Sequence, residues 1–313
     1  MKLGSIIGLV ICCILLITGG ILCAAGYVSA RNSGQYLFTQ TNENGTFFVG
    51  DIDDGSTTTI KLGVSDAKIK IIGGADKSKI EFLNYNPNYY VLSSTAKVIN
   101  FEEVESFSSM LKIWENGFSF KGLRYIFDFN DYGSAERPKE IHIYVTDISS
   151  LSTIDIDAVN AEISFENVDL SGDITIRTET GSVDLSNVSC GKFISVHGTD
   201  LNASLKGVVC EQLSLSAESS DIYAENSSFT SAEITVSDGR VDFYSPVSFD
   251  NGKLSIVSET GGILLNGSPV TGAYSIDSET PERTLRIKTV SAGINMEYPQ
   301  TGENSIETPD ASA

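Results

Sequence analysis

The chain has 313 residues, 41% of them hydrophobic, which is enough for a packed core and excludes wholesale disorder. Its 41 Asp+Glu against 21 Lys+Arg leave a net charge of −20, which argues against nucleic acid and anionic lipid surfaces as partners, since both need clustered Lys and Arg. With 28 Gly, 7 Pro, 1 Trp and 2 His, the composition leans towards repetitive β-structure with few catalytic side chains.

Leu3 to Ala30 carries no charge, and its apolar heart runs from Ile6 to Tyr27. As a helix this heart spans about 33 Å, enough to cross a bilayer core of about 30 Å. Residues 1–30 are therefore expected to be a transmembrane anchor, reached after Lys2 and left at Arg31, with the rest of the chain extracytoplasmic. The rival reading is a secretory signal cleaved near Ala30, where Val28-Ser29-Ala30 offers a small-residue site. Cys12, Cys13 and Cys23 serve as small hydrophobes in this segment.

Residues 31–150 read as a less regular β-rich region. Ile60/Leu62 and Ile69/Ile71 are apolar-x-apolar pairs set nine residues apart, and Ile80/Phe82 and Val91 continue as strands. An irregular insertion is expected near 102–140. There Val104, Phe107 and Leu111 have helical spacing, and an aromatic run extends from Trp114 to Phe129. Ile141, Ile143 and Val145 restart the strands.

From 151 to 298 the chain repeats itself. The pairs Ile154/Ile156, Ile174/Ile176, Ile194/Val196, Leu213/Leu215, Ile234/Val236 and Leu254/Ile256 recur about every twenty residues. A second pair follows each first anchor by nine residues, as in Ile163/Phe165 and Val183/Leu185, except that Val241/Phe243 reads as a turn shorter by two. A third apolar site follows at Leu170, Cys190, Cys210, Phe229 and Val270. A final coil, Leu285/Ile287 with Ile294/Met296, comes after an inserted loop. One such coil cannot bury its own apolar face, but stacked neighbours can. The expected fold is all-β, a β-solenoid of roughly 20-residue coils about 40 Å long. The alternative is an antiparallel β-sandwich or meander. The acidic tail 299–313 is expected to be disordered.

The turns between pairs carry a further signature: Glu179-Thr180-Gly181-Ser182-Val183, Ser219-Ser220-Asp221-Ile222, Glu259-Thr260-Gly261-Gly262-Ile263 and Ser291-Ala292-Gly293-Ile294. In these residues the chain resembles the putative-adhesin family of bacterial envelope proteins, a β-strand-repeat domain of unknown function. The resemblance implies a non-enzymatic role in adhesion or envelope interaction. It also implies, as an alternative, a role as an accessory to envelope-stress signalling. It brings no catalytic residues and no cofactor. The partners it implies are a cell-envelope or host glycan, or a neighbouring membrane protein.

Several residues invite chemistry. Cys190 and Cys210 occupy one slot of consecutive coils, where in-register neighbours would fall within disulfide range; they are either a disulfide or a buried thiol pair. Trp114 is either a ligand-facing aromatic or part of an apolar cap. Acidic groups at Asp51, Asp53 and Asp54, at Asp128, Asn130 and Asp131, and at Asp155 with Asp157 lack a calcium-loop spacing and read as solvated turns. Asp184, Glu225 and Asp242 would share a face if the chain were a polysaccharide-cleaving β-helix, but no aromatic stripe is evident beside them. His142 reads as outward-facing on a strand and His197 as sitting at a turn. Tyr298 to Glu303 resembles a sortase signal without its apolar segment and basic tail. The Asn-x-Ser/Thr triplets at Asn44, Asn187, Asn202, Asn226 and Asn266 read as turns.

Overall fold

The computed structural model describes residues 43–47, 59–85, 90–94, 97–103, 139–146, 151–249 and 251–299. The apolar segment 3–30, the helical spacing at 104–111, Trp114 with its aromatic run and the tail beyond Pro299 lie outside these residues. The described residues belong to one compact unit, Asn42–Glu105 with Ala135–Ala313.

The described chain is all strand and turn. The first six strands are β1 (Glu43–Phe47), β2 (Thr59–Ile72), β3 (Lys79–Tyr85), β4 (Tyr90–Ser94), β5 (Val98–Glu103) and β6 (Glu140–Tyr144). The next six are β7 (Thr153–Glu166), β8 (Asp169–Leu170), β9 (Ile174–Ser186), β10 (Ser189–Lys206), β11 (Val209–Glu225) and β12 (Ser228–Tyr244). The last six are β13 (Gly252–Ser258), β14 (Ile263–Leu265), β15 (Ser268–Val270), β16 (Ala273–Asp277), β17 (Arg283–Thr289) and β18 (Gly293–Glu297).

β7, β9, β10, β11 and β12 stack as successive parallel rungs, with Ile154, Ile174, Ile194, Leu213 and Ala232 in one column. The solenoid reading holds, and the sandwich alternative falls with the parallel register. Each rung is one long strand bent in the middle. In β7 the inward residues Ile154, Ile156 and Ala158 form one face, and Ala161, Ile163 and Phe165 a second. Two consecutive exposed residues, Val159 and Asn160, mark the corner. A third, short side carries Val168 and Leu170.

The corner explains the glycine turns. A Cβ on Gly181 would lie 2.0 Å from the Ala161 carbonyl oxygen one rung away, and φ there is +129°. The turn after the second face needs a left-handed residue, supplied by Asn167, Asn187, Gly207 and Asn226 in successive rungs. Asn187 Nδ2 donates to Asn167 Oδ1 at 3.1 Å, so the turns also form a ladder. Asn266, with φ 47°, and Gly267, with φ 76°, form the two-residue turn between β14 and β15. Asn202 departs from its reading as a turn: it lies within β10, and its Oδ1 accepts the Asp221 N–H. Asn44 likewise lies in a strand, β1.

Three further expectations are corrected by the register. Ala232, not Ile234, partners Leu213, while Ile234 partners Leu215. The nine-residue offset to Val241 is therefore kept, and the shortened turn disappears. Val270 does not continue the third side; it pairs antiparallel with Ile263 in the β14–β15 hairpin. His197 sits in strand β10, opposite Arg177 and Ser216, rather than at a turn.

Spatial order departs from chain order at both ends. β2 lies between β7 on one side and β5 with β6 on the other. The first and second faces of that outer rung are separate strands, β5 ending at Glu103 and β6 beginning at Glu140. Lys139 Nζ meets Glu103 Oε1 at 3.0 Å, and Glu103 Oε2 accepts from the Ser65 N–H at the neighbouring corner. At the other end β17 and β18 slot between β12 and the outer β13 and β14. Among the described residues nine parallel rungs result, spanning about 40 Å. Antiparallel strands cover the outermost rungs: β4 and β3 against β5 and β6, β16 and β15 against β13 and β14.

Two outcomes test this architecture. Gly181→Ala should cost about 2–3 kcal/mol through clash and strain, whereas Gly262→Ala, which meets nothing within 4 Å, should change stability by less than about 0.5 kcal/mol; denaturant melts compare them. In the second test, Thr235→Cys with Lys288→Cys should cross-link, because the two residues are direct partners. Thr235→Cys with Val257→Cys, two rungs or about 10 Å apart, should not. Peptide mapping of both double variants reads the strand order.

Candidate functional site

Outward positions on the second face form rows along the stack. One row runs Ser164, Asp184, Ser204, Tyr223, Asp242, Asn295 and Leu264. Beside it run Glu166, Ser186, Lys206, Glu225, Tyr244 and Glu297. Each row exists because its residues lie one position after an inward apolar residue, so the strand pleat turns them out.

The rows become aromatic over β11 and β12. The Tyr223 and Tyr244 rings lie 5.6 Å apart, tilted by 49°. The Tyr223 hydroxyl donates to Glu225 Oε2 at 2.9 Å, and Lys206 Nζ stands 5.6 Å from the Tyr223 ring centre. Asn295 Nδ2 donates to the Tyr244 hydroxyl at 3.1 Å. Arg240 holds Asp242 at 2.8 Å. Leu264 continues the patch at 45% exposure. Two rings edged by carboxylates, an amide and two cations can stack on an apolar ring face and hydrogen-bond the hydroxyls around it.

The carboxylates singled out in the sequence are only partly brought together. Asp184 and Asp242 stand three rungs apart in one row, about 14 Å, beyond the separations at which two carboxylates flank a glycosidic bond. Glu225 is adjacent to Asp242, but each already has its own partner. Against the expectation of no aromatic stripe, Tyr223 and Tyr244 stand beside these carboxylates. The signal lay in the alternation Ile222-Tyr223-Ala224 and Val241-Asp242-Phe243-Tyr244, which fixes both rings on the outer surface.

The remaining candidates resolve as structural groups. Asp155 and Asp157 both bind Arg177, at 2.8 and 3.4 Å. The other two acidic groups lie outside the described residues. Among the described residues no three His, Cys, Asp or Glu side chains converge on a metal-sized site. His142 faces out between Ile141 and Ile143, 3.0 Å from Glu140 Oε2. Tyr298 is buried, its ring 5.6 Å from Phe249 in an edge contact, and its N–H donates to Asn266 Oδ1. Cys190 and Cys210 are free thiols, buried on the third side at 3% and 5% exposure. Burial pushes both thiols up, Cys210 to about 12.

The stack of parallel, bent rungs defines a β-solenoid repeat protein. The sequence profile of the Toastrack DUF4097 family matches residues 114–309, and the chain belongs to that family. None of the curated proteins matches it significantly. Among solved structures, one similar chain is a putative adhesin from Bacteroides fragilis NCTC 9343, at 13% identity and a TM-score of 0.48, with 83% of this chain and 98% of that one covered. Another is a putative cell adhesion protein from Clostridium sporogenes ATCC 15579, at 14% identity and a TM-score of 0.32, with 82% and 99% covered.

The Tyr223–Glu225 bond has a readout. Donation to a carboxylate favours the neutral phenol, and burial and the neighbouring charge add to the effect, so Tyr223 ionises above the ordinary tyrosine value of 10.0. Glu225→Gln removes the negative acceptor and should lower that pKa. The difference in phenolate absorbance between each protein and its Tyr223→Phe variant, followed against pH, measures it.

Proposed function

We propose that this chain is a membrane-anchored, extracytoplasmic, non-enzymatic adhesion-type protein that holds a sugar polymer against the second face of its solenoid. The observation that carries the reading is the Tyr223–Tyr244 pair, two half-buried rings 5.6 Å apart on the outer surface of the second face. Aromatic rings stack on the apolar faces of sugars, while Asn295, Asp242 and Glu225 offer hydrogen-bonding groups at the rim. A stack of rungs presents such groups at a regular interval of about 4.8 Å, which suits repeated weak contacts with a polymer.

Two features support binding over cleavage. The carboxylates nearest the rings are each committed, Glu225 to Tyr223 and Asp242 to Arg240. The patch is also an open surface rather than an enclosed cleft that would exclude water from a reacting bond. The net charge of −20 favours neutral or cationic glycans of the envelope or a host over anionic ones. The apolar segment 3–30 supports export and anchoring.

Binding of the full-length protein, in detergent or nanodiscs, to immobilised wall and host polysaccharides tests the reading. Tyr223→Ala with Tyr244→Ala should weaken binding at least about tenfold, as the loss of two stacking contacts near 1 kcal/mol each requires. Tyr→Phe at both sites should keep most of the affinity. A double alanine variant that still melts normally and binds every glycan as well as the parent would sink the proposal.

A further inference from the structure

The third side of the solenoid holds a pair of side chains that the polymer-binding reading leaves unused. Cys190, near the start of β10, and Cys210, near the start of β11, are direct partners in the parallel ladder. Leu170 and Phe229 flank them in the same inward row. In-register parallel neighbours lie about 4.8 Å apart at Cα, inside the 4.4–6.8 Å range of disulfides, and their Cβ atoms leave the same side of the sheet.

The backbone beside them has slack. On β10 the next paired residue, Phe193, comes three positions after Cys190, whereas on β11 Gln212 comes only two positions after Cys210. This bulge frees the ladder next to the pair, so the Cβ atoms can close to the roughly 3.8 Å of a disulfide without breaking the regular pairing that resumes at Ile194 and Leu213. The sulfurs are near enough to sense each other, since the Cys190 thiol contributes to the raised pKa of Cys210. As free thiols they donate to backbone oxygens, Cys190 to Gly172 and Cys210 to Gln212.

We propose that Cys190 and Cys210 form an intrachain disulfide when the chain folds in an oxidising compartment, pinning two consecutive rungs on their third side. The compartment rests on the export reading above; the pairing does not. The oxidant is a disulfide, either of a thiol-oxidising protein or of glutathione. The thiolate of one cysteine attacks it, forming a mixed disulfide and releasing one thiolate. The thiolate of the second cysteine then displaces the other half. Two S–H bonds are lost and one S–S bond forms, while the oxidant takes up two electrons and two protons as two thiols. In the closed solenoid both groups are buried and protonated, so the exchange runs before the third side closes.

The test uses the full-length protein in two arms. In the first, protein from cells is denatured in alkylating reagent and digested. A peptide linking Cys190 to Cys210, with neither residue alkylated, is the expected product. In the second, reduced and unfolded protein refolds with glutathione disulfide, and the same linked peptide is expected; Cys210→Ser should leave Cys190 fully alkylated once bound glutathione is removed. Separate, alkylated Cys190 and Cys210 peptides after oxidative refolding overturn the pairing. A linked peptide from refolding together with free thiols from cells supports the pairing and counts against the export reading.

Discussion

In-register parallel stacking is the constraint on which the rest of this protein depends. No rung buries its own apolar residues; each is enclosed only by the rungs above and below it. Ile156 is sealed because Leu62 and Ile176 stand in the same column. The bend in every strand, glycine where two corners approach most closely and the left-handed Asn and Gly turns all keep neighbouring rungs in register. Gly181 shows how tight the demand is: its backbone passes so close to the Ala161 carbonyl that no side chain fits.

Stacking leaves a problem at each end, where the outermost rung has one neighbour too few. Both ends meet it in the same way. The terminal rung is not the terminal piece of chain: β2 and the β17–β18 rung are slotted inside rungs that come later or earlier in sequence. The outer rungs then receive antiparallel strands on their open edges. An antiparallel cover breaks the parallel template, so a further copy cannot simply continue the stack. The slotted rung also couples distant parts of the chain. Until residues 283–297 arrive, the face of β12 has no neighbour on that side, and β13 has none on its inner side.

Much of this was legible in the sequence. The nine-residue offset between apolar pairs and the period near twenty fixed the rungs, because both follow from pleat and turn lengths that local residues set. Glycine at the corner was legible for the same reason. The strand order at the ends was not. Leu254/Ile256 and Leu285/Ile287 carry the same pattern, and nothing in either pair says which abuts Ile234. That choice depends on the length and course of the segment between them, which is a long-range property. The misplaced anchor at Ile234 had a simpler cause. Ala232 fills an inward position where Phe229 and Phe243 supply bulk nearby, so a small residue suffices and the apolar signal weakens. Of the candidate site, the three carboxylates could be placed on one face, but their partners could not. Arg240 and Tyr223 engage carboxylates two residues along the same strand, a contact set by side-chain reach rather than by period.

The strand order at the C-terminal end also shapes the outer face. Had the rungs followed chain order, Leu264 would have stood beside Asp242. With β18 slotted between them, Asn295 takes that place and braces the Tyr244 hydroxyl. The amide thus holds one of the two rings in position, and Leu264 moves one rung outward to the margin of the patch. The device that closes the end of the solenoid therefore also sets which groups surround the tyrosines. A change that disturbed the β12–β18 pairing would loosen the end of the core and the aromatic patch together. The two belong to one cooperative element, even though Tyr244 and Asn295 are far apart in sequence.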